Sequence, residues 1–376
     1  MIKLFDRKTI SSINKSDFST LPDWVEFLIL LLQNGPSHYV ENFNCDFLLL
    51  QINDKLIPIA QNNAAANNSH LTSINTYYIS FGIDSIKHKL KSKLSGLVVS
   101  SFASMMQTIF SFSKLDRTIF INCWLMPTGP LVTLEKGEYD EVVVFLRNHF
   151  PDHALVFRGF TNFFKISGEQ IAPDVLLLSR VYYQIENIKE ILKTKNIKNA
   201  LRTLKNTKYK IDDRNGIVKN DHQRMIALYN KLYIDKFSDY SLKYNEEWIE
   251  LISKFPVFNI HLVRDEQELI QSFIVTLSDP DIIVSSIGAY NQGAVDSFNL
   301  YVLNFANRVV DANLRDKKIN LSSGGDYFKR KRGGIPNVEY DIVYFKHLKG
   351  FTSLRWKVFS WLFKNVAERI YKNALN

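Results

Sequence analysis

What the chain lacks narrows its possibilities first. It has two cysteines in 376 residues, Cys45 and Cys123. Two thiols cannot make a disulfide framework, so the fold must rest on a packed core, and a reducing compartment is expected. Each thiol lies in a strand-like apolar segment, the setting of an inert buried cysteine rather than a nucleophile. The eight histidines are scattered. His149 and His153 have helical spacing, but Pro151 between them spoils a shared face, so no metal is assigned. The longest apolar run, Trp24–Leu32, is broken by Glu26 and falls short of the ~20 residues that span a bilayer. The opening MIKLFDRKTISS has no apolar signal region, which sets the expectation at a cytoplasmic protein.

What is present is apolar, aromatic and basic. With 46% hydrophobic residues, 27 Phe and 17 Tyr, the chain needs real cores, and a mostly disordered protein is excluded. The length suits two or three domains. A net charge of +9 points to anionic partners: a nucleotide cofactor, tRNA, an acidic carrier protein or an anionic membrane.

In chain order, residues 23–33 read as an apolar helix stopped at Gly35-Pro36. CDFLLLQI and KLIPIA, split by Asn53-Asp54, read as a hairpin. NTYYISFG (75–82) and TIFINCWLM are further expected strands, separated by a helix near residues 97–112. EYDEVVVFLRNHF predicts a helix, and HALVFRGF and DVLLLSRVYYQI predict strands. Residues 187–220 then carry ten Lys/Arg against three acids, with apolar positions at helical spacing. Apart from Tyr209 they offer no aromatic residue for base stacking, so a solvated connector is favoured over a nucleic-acid stripe. Beyond it come an amphipathic helix from Asp221, a helix capped by Asn245, a hairpin turning at 264–267, and a buried strand over 281–290. The loop NQGAV leads into a helix from about Asp296 to Leu314. A loop and helix start directly after a central strand can take a pyrophosphate on backbone N–H groups. Alternating strands and helices make the class α/β or α+β.

One stretch carries the most chemistry: KINLSSGGDYFKRKRGGIPNVEYDIVYF, residues 318–345. Two glycine pairs bracket four consecutive bases, Lys329 to Arg332. Each pair can supply positive φ or close backbone approach, which suggests an anionic ligand near a turn. The tail, residues 351–376, has an apolar stripe with interspersed bases. It suits core packing, with a membrane-surface or partner-docking helix as the sharper alternative.

The order of elements over 221–345 resembles the GNAT acyltransferase fold. The segment NLSSGGDYFKRKRGGIPNVEY is similar to the closing motif of its Fem-type branch, most of all to bacterial acetyltransferases associated with cellulose biosynthesis. That branch pairs two GNAT-like domains in one chain. The resemblance therefore implies two tandem α/β domains, each a mixed central sheet flanked by helices. The expected division is a degenerate N-terminal domain at 1–195, a basic helical connector at 196–220 and an acyltransferase domain at 221–376. Phe328, Lys329 and Gly333 fall on the motif, with Gly324 at the strand end before it. The usual pyrophosphate signature is not reproduced: GAYNQGAVD keeps Gln292-Gly293 without the spacing.

The implied reaction is attack of an amine on a thioester, from acyl-CoA or acyl carrier protein as co-substrate with no tightly bound cofactor. Aminoacyl-tRNA-dependent transfer and a non-catalytic binding module are the alternatives. Lys329 is placed on developing negative charge, and Glu339 is a base or amine-binding carboxylate unless it merely neutralises Lys329 or Arg332. Tyr327 could act as general acid, although core packing suits it better. Gly288, Asn291, Gln292, Gly293 and Arg332 would meet the donor. Ser323, Gly324, Asp296, Asn299 and Tyr301 would line the acceptor, with Asp296 better suited to capping. Expected partners are a small-molecule amine and acyl carrier protein, with tRNA less favoured. Peripheral contact with the inner membrane face would run through 351–376.

Overall fold

A left-handed residue closes the first hairpin. Asn53, at φ 51°, turns β2 (Asp46–Ile52) back onto β3 (Lys55–Asn63), a conformation asparagine tolerates better than most residues. β1 (Ile2–Phe5) and β4 (Arg117–Ile121) extend this antiparallel run on either side. After β4 the chain crosses through helix Lys136–His149 and returns as β5 (Ala154–Thr161), parallel to β4. The computed structural model describes residues 2–18, 22–87, 101, 114–130, 132, 134–161 and 171–368. The helix expected near 97–112 lies outside the described residues, except for Ser101.

The second half repeats the pattern. β7 (Lys210–Asp213), β8 (Phe258–Arg264), β9 (Ile270–Ser278) and β10 (Ile282–Tyr290) run antiparallel. Helix Ser297–Arg315 then crosses to β11 (Lys318–Asn320), parallel to β10. Two strands remain, β6 (Val175–Ile185) and β12 (Ile335–Tyr344), and they are exchanged. β6 follows β5 in sequence but pairs with β11, while β12 follows β11 but pairs with β5. β6 and β12 also pair with each other, so both halves fuse into one twelve-stranded mixed sheet, β1-β2-β3-β4-β5-β12-β6-β11-β10-β9-β8-β7. The class is the expected mixed α/β.

On one face each half has its own core. Helix Lys136–His149 covers β2–β5, and helices Lys195–Lys205 and Ser297–Arg315 cover β6, β10 and β11. On the other face the two halves share a core. Trp24, on helix Pro22–Asn34, meets Trp124 of the first half and Phe258 of the second, at ring-centroid distances of 5.1 and 5.3 Å. Offset and edge-on aromatic contacts of this kind add to area burial.

One expected strand is helical. Residues 75–82 form Thr76–Phe81, running on into Gly82–Lys87. Their aromatic composition favours a strand, but tertiary contacts decide otherwise. Phe81 stacks on the His70 ring at 4.3 Å, and the Tyr78 hydroxyl donates to Asp341 Oδ2 at 2.8 Å. The glycine-basic stretch is a single helical turn, Asp326–Arg330, rather than a simple link between strands.

Exchange of β6 and β12 makes each half depend on the other. Thermal unfolding followed by circular dichroism and by tryptophan fluorescence is expected to give one coincident transition. Fragments 2–205 and 206–376 are expected to be unfolded apart and to regain structure when co-expressed. Two separate transitions, or either fragment folding alone, would refute this dependence.

Candidate functional site

Where the two halves meet, the shared face opens into a cavity of about 1080 Å³. Its floor is β6, whose alternate residues Leu178, Arg180, Tyr182 and Gln184 face it, with Glu339 of β12 beside them. The β4–β5 end contributes Trp124 and Arg158, and the β10–β11 end contributes Ser286, Tyr290 and residues Ser322–Asp326. Helices supply apolar walls through Phe81, Leu232, Phe359 and Phe363, and a turn adds Phe237.

Two buried ion pairs sit at the floor. Arg180 and Glu339 are opposite each other in the β6–β12 register, and the guanidinium forks onto the carboxylate through Nε at 3.0 Å and Nη2 at 2.9 Å. Each carboxylate oxygen keeps a second lone pair for another donor. Arg158, on β5, lies 3.5 Å from Asp341 and stacks over the Tyr77 ring at 4.4 Å. Its Nη1 donates to the carbonyls of His70 and Leu71. Burial works against both guanidinium charges, yet the facing carboxylates prevail and raise both pKa values. Burial pushes the Asp341 carboxyl above the usual carboxylate range, with Arg158 opposing.

Burial is decisive for His70. It drives the imidazole down to about 3, helped by Arg158 and Arg180 and opposed by the Tyr240 carbonyl 3.0 Å from Nδ1. The two cysteines are also held as thiols: burial raises Cys45 and lifts Cys123 to about 11.

The glycine-basic stretch builds one rim of the cavity. Ser322, Gly324 and Gly325 take φ of 60°, 75° and 62°, and the Ser322 amide donates to Asn320 Oδ1. A Cβ on Gly325 would lie 2.7 Å from the Tyr301 hydroxyl, so glycine is needed there for contact as well as for backbone angle. Lys329 is buried and holds the rim from behind. Its Nζ donates to the carbonyls of Leu321, Ser322 and Ser323 at 2.7, 3.0 and 2.7 Å. Burial, with Arg308 nearby, presses its pKa well below the ordinary lysine value, while three carbonyl acceptors engage all three ammonium N–H groups.

Of the residues singled out from the sequence, Glu339, Ser323, Gly324 and Tyr301 line the cavity together. Lys329 and Gly288 border a second pocket of about 110 Å³ in the β10–β11 gap, which Tyr301 and Ser323 share. The others lie elsewhere. Tyr327 is 77% exposed, and Asn299 faces solvent. The Arg332 guanidinium stacks 3.6 Å from the Phe328 ring centroid. Asp296 accepts from the Tyr209 hydroxyl at 2.6 Å. Asn291 bonds Gln271, Gln292 accepts from Lys236, and the Gly293 amide donates to Asn291 Oδ1, so local bonds occupy this loop. The counter-charge of Glu339 is Arg180, not Lys329 or Arg332.

Sequence reasoning missed Arg158, Arg180, His70, Tyr77 and Asp341. Two of them had a readable signal: Arg158 and Arg180 are each the lone charge inside an apolar strand. A strand buried on both faces tolerates a charge only when it is paired. Among the described residues, no group of three or more His, Cys, Asp or Glu is arranged to hold a metal.

No sequence-family model matches the chain, and no curated protein does. Among solved structures it is similar to a conserved protein of unknown function from Bacteroides thetaiotaomicron VPI-5482, at 12% identity over 92% of this chain and 100% of that one, TM-score 0.45. It is also similar to a tandem GNAT protein from the clavulanic acid biosynthesis pathway, at 6% identity over 92% and 98%, TM-score 0.39. FemX shares 9% identity over 60% of this chain and 80% of its own, TM-score 0.42. Likeness at this level gives neither a substrate nor an activity.

Two measurements check the site's electrostatics. Arg180→Met or Glu339→Leu alone strands a buried charge and is expected to cost about 3–5 kcal/mol in urea unfolding. Arg180→Met/Glu339→Leu together is expected to cost less than either, and strictly additive losses would overturn the coupling. For His70, the unfolded chain takes up a proton near pH 6.5 while the folded chain waits until about 3. Stability is therefore lost as pH falls through that window, by about 1.4 kcal/mol per unit. Between about pH 6.5 and about pH 4.5, His70→Gln is expected to lose roughly 2–3 kcal/mol less than the parent, and equal losses would contradict this.

Proposed function

We propose that the chain is an acyltransferase of the GNAT type, with the 1080 Å³ cavity as its acceptor site. The observation that carries this reading is the parting of a parallel strand pair. The β10–β11 register ends at Val284 and Asn320, while β10 runs on to Tyr290. Among the described residues no strand pairs with the Ser285–Tyr290 edge on this side, and the edge lines the cavity through Ser286 and Tyr290, opposite Ser322–Gly325. An open strand edge suits an extended, amide-bearing donor arm, which can bond along it as an added strand would.

The acceptor nitrogen attacks the thioester carbonyl, the N–C bond forms, the C–S bond breaks and the thiolate leaves. The amine proton passes to a base, and Glu339 is the carboxylate on the cavity floor with lone pairs left after its fork with Arg180. Holding donor and acceptor in one cavity can supply on the order of 7–11 kcal/mol of the barrier. Lys329 acts as a positioning residue here, since its ammonium holds the rim carbonyls at residues 321–323. The reacting groups are assigned to the C-terminal part, 221–376, with 1–195 completing the cavity through β4, β5 and β6, and 196–220 joining the two while supplying β7 and most of helix Lys195–Lys205.

Acyl-CoA and acyl carrier protein are the donors this reading names, binding as co-substrates. A basic surface favours the carrier. Lys195, Lys198, Arg202 and Lys205 share the outer face of their helix, and Asn196 at its start donates to the Lys331 carbonyl, which brings the exposed Arg330 and Lys331 close to the same helix. Aminoacyl-tRNA is the second reading, on the same surface.

Thermal shift with acetyl-CoA, long-chain acyl-CoA, acyl carrier protein and aminoacyl-tRNA separates these donors. A true donor at 100 times its Kd stabilises by about 2.7 kcal/mol. With that donor and a panel of amines, Glu339→Gln is expected to lower turnover about 10²–10⁴-fold with donor affinity unchanged. Stabilisation by none of the four, or undiminished turnover in Glu339→Gln, would remove the reading.

A further inference from the structure

Helix Gly350–Leu362 covers the shared core with one face and leaves the opposite face bare. Trp356, Phe359, Ser360 and Phe363 are buried on the inner side, and Phe359 and Phe363 also reach the cavity wall. On the outer side Phe351 is 79% exposed, Leu354 53%, Val358 42% and Trp361 62%. At about 100° per residue these four fall within an arc of roughly 80°, so they form one continuous stripe. A core-packing helix needs only its inner face apolar, and four large exposed apolar side chains in register exceed ordinary surface scatter.

The margins of the stripe are basic. On the same helical projection Arg355 lies beside one edge, and Lys357 and Lys364 beside the other. Among the described residues none of these three pairs with a carboxylate. A second copy of this chain meeting the stripe about a two-fold axis would bring like charges together at both edges. An anionic lipid surface matches both features, taking the apolar stripe at the acyl boundary and the bases at its headgroups. Among the described residues no helix is long and apolar enough to cross a membrane, so contact through this helix would be in-plane.

We propose that the outer face of helix Gly350–Leu362 docks the protein on an anionic lipid bilayer. The inference goes beyond the transfer reaction and does not depend on it. Because this helix and the turn that continues it present Phe359 and Phe363 to the cavity, docking sets one cavity wall at the level of the lipid headgroups.

Trp361 supplies the test. The other four tryptophans, Trp24, Trp124, Trp248 and Trp356, are buried, so a change in exposed tryptophan emission reports this helix. Phosphatidylcholine vesicles containing phosphatidylglycerol are expected to pellet the full chain and shift its emission to the blue, with binding weakened by salt. Vesicles of phosphatidylcholine alone are expected to do neither. Leu354→Ser/Val358→Ser keeps the reporter and is expected to lower partitioning more than tenfold. Arg355→Glu/Lys357→Glu/Lys364→Glu is expected to abolish the preference for the anionic vesicles. All five positions lie outside the core, and circular dichroism and Tm verify that both variants fold. Absence of binding by the parent, or unchanged binding by folded Leu354→Ser/Val358→Ser, would overturn the proposal. So would a concentration-dependent dimer in light scattering that the same variant loses, since a second copy would then be the occupant.

Discussion

The pairing of β6 with β12 is the constraint on which the rest of the molecule depends. Each strand comes from the end of one repeat and is built into the other, and they run antiparallel from Ile335 opposite Gln184 to Val343 opposite Val175. Exchange places Arg180 and Glu339 across from each other, although 159 residues separate them in sequence. It also makes the cavity floor from one strand of each repeat. A cavity between two independently folded domains would open and close with their relative motion. Here a continuous hydrogen-bonded ladder crosses the junction, so the polar groups on the floor are held by the sheet itself. Fixed dipoles and charges of that kind reorganise little when a ligand arrives, which is the physical basis of electrostatic preorganisation.

Much of the fold was legible because its signals are local. The Asn53-Asp54 hairpin, the Asn245 cap with its bond from the Trp248 amide, and the helix after β10 all follow from residues within a few positions of one another. The exchange was not legible, because nothing in the sequence of β6 or β12 names its neighbour. Residues 75–82 failed for a related reason: stacking of Phe81 on His70 and the bond from Tyr78 to Asp341 are long-range contacts that override local preference. The site was legible in part. Glu339, Ser323 and Gly324 could be read from one motif and Tyr301 from the helix before it, whereas Arg158 and Arg180 needed the rule that a lone charge in a buried strand must have a partner.

Lys329 shows why a charge cluster in sequence does not translate evenly into a charged site. Four consecutive bases part company once folded. Lys329 turns inward onto three carbonyls, Arg332 lies flat on Phe328, and Arg330 and Lys331 remain outside. The inward ammonium does work that no external anion is needed to explain, because the Ser322–Gly325 rim, with three positive φ values, would otherwise present unmatched carbonyls to a buried environment. Gly333 and Gly334 belong to the same construction. A Cβ on Gly333 would meet Ile191 at 2.5 Å, and one on Gly334 would meet the Lys329 carbonyl at 2.9 Å. The two glycine pairs therefore let the chain fold tightly around one buried cation. The positive charge left facing solvent is that of Arg330 and Lys331.

The cavity's composition follows from where each wall originates. Strands in the middle of a sheet can carry charge only as satisfied pairs, so the floor is polar and rigid, with Arg158–Asp341 and Arg180–Glu339 both intact. Helices that pack over a sheet must turn apolar residues inward, so the walls from Phe81, Phe359 and Phe363 are aromatic. A volume near 1080 Å³ with charge at one side and rings at the other sorts ligands by polarity along their length. A small fully polar molecule would leave the rings wetted, and a purely apolar one would leave the lone pairs of Glu339 without a donor. A ligand that satisfied both would be amphiphilic, with its polar end at the floor and its apolar part against the walls.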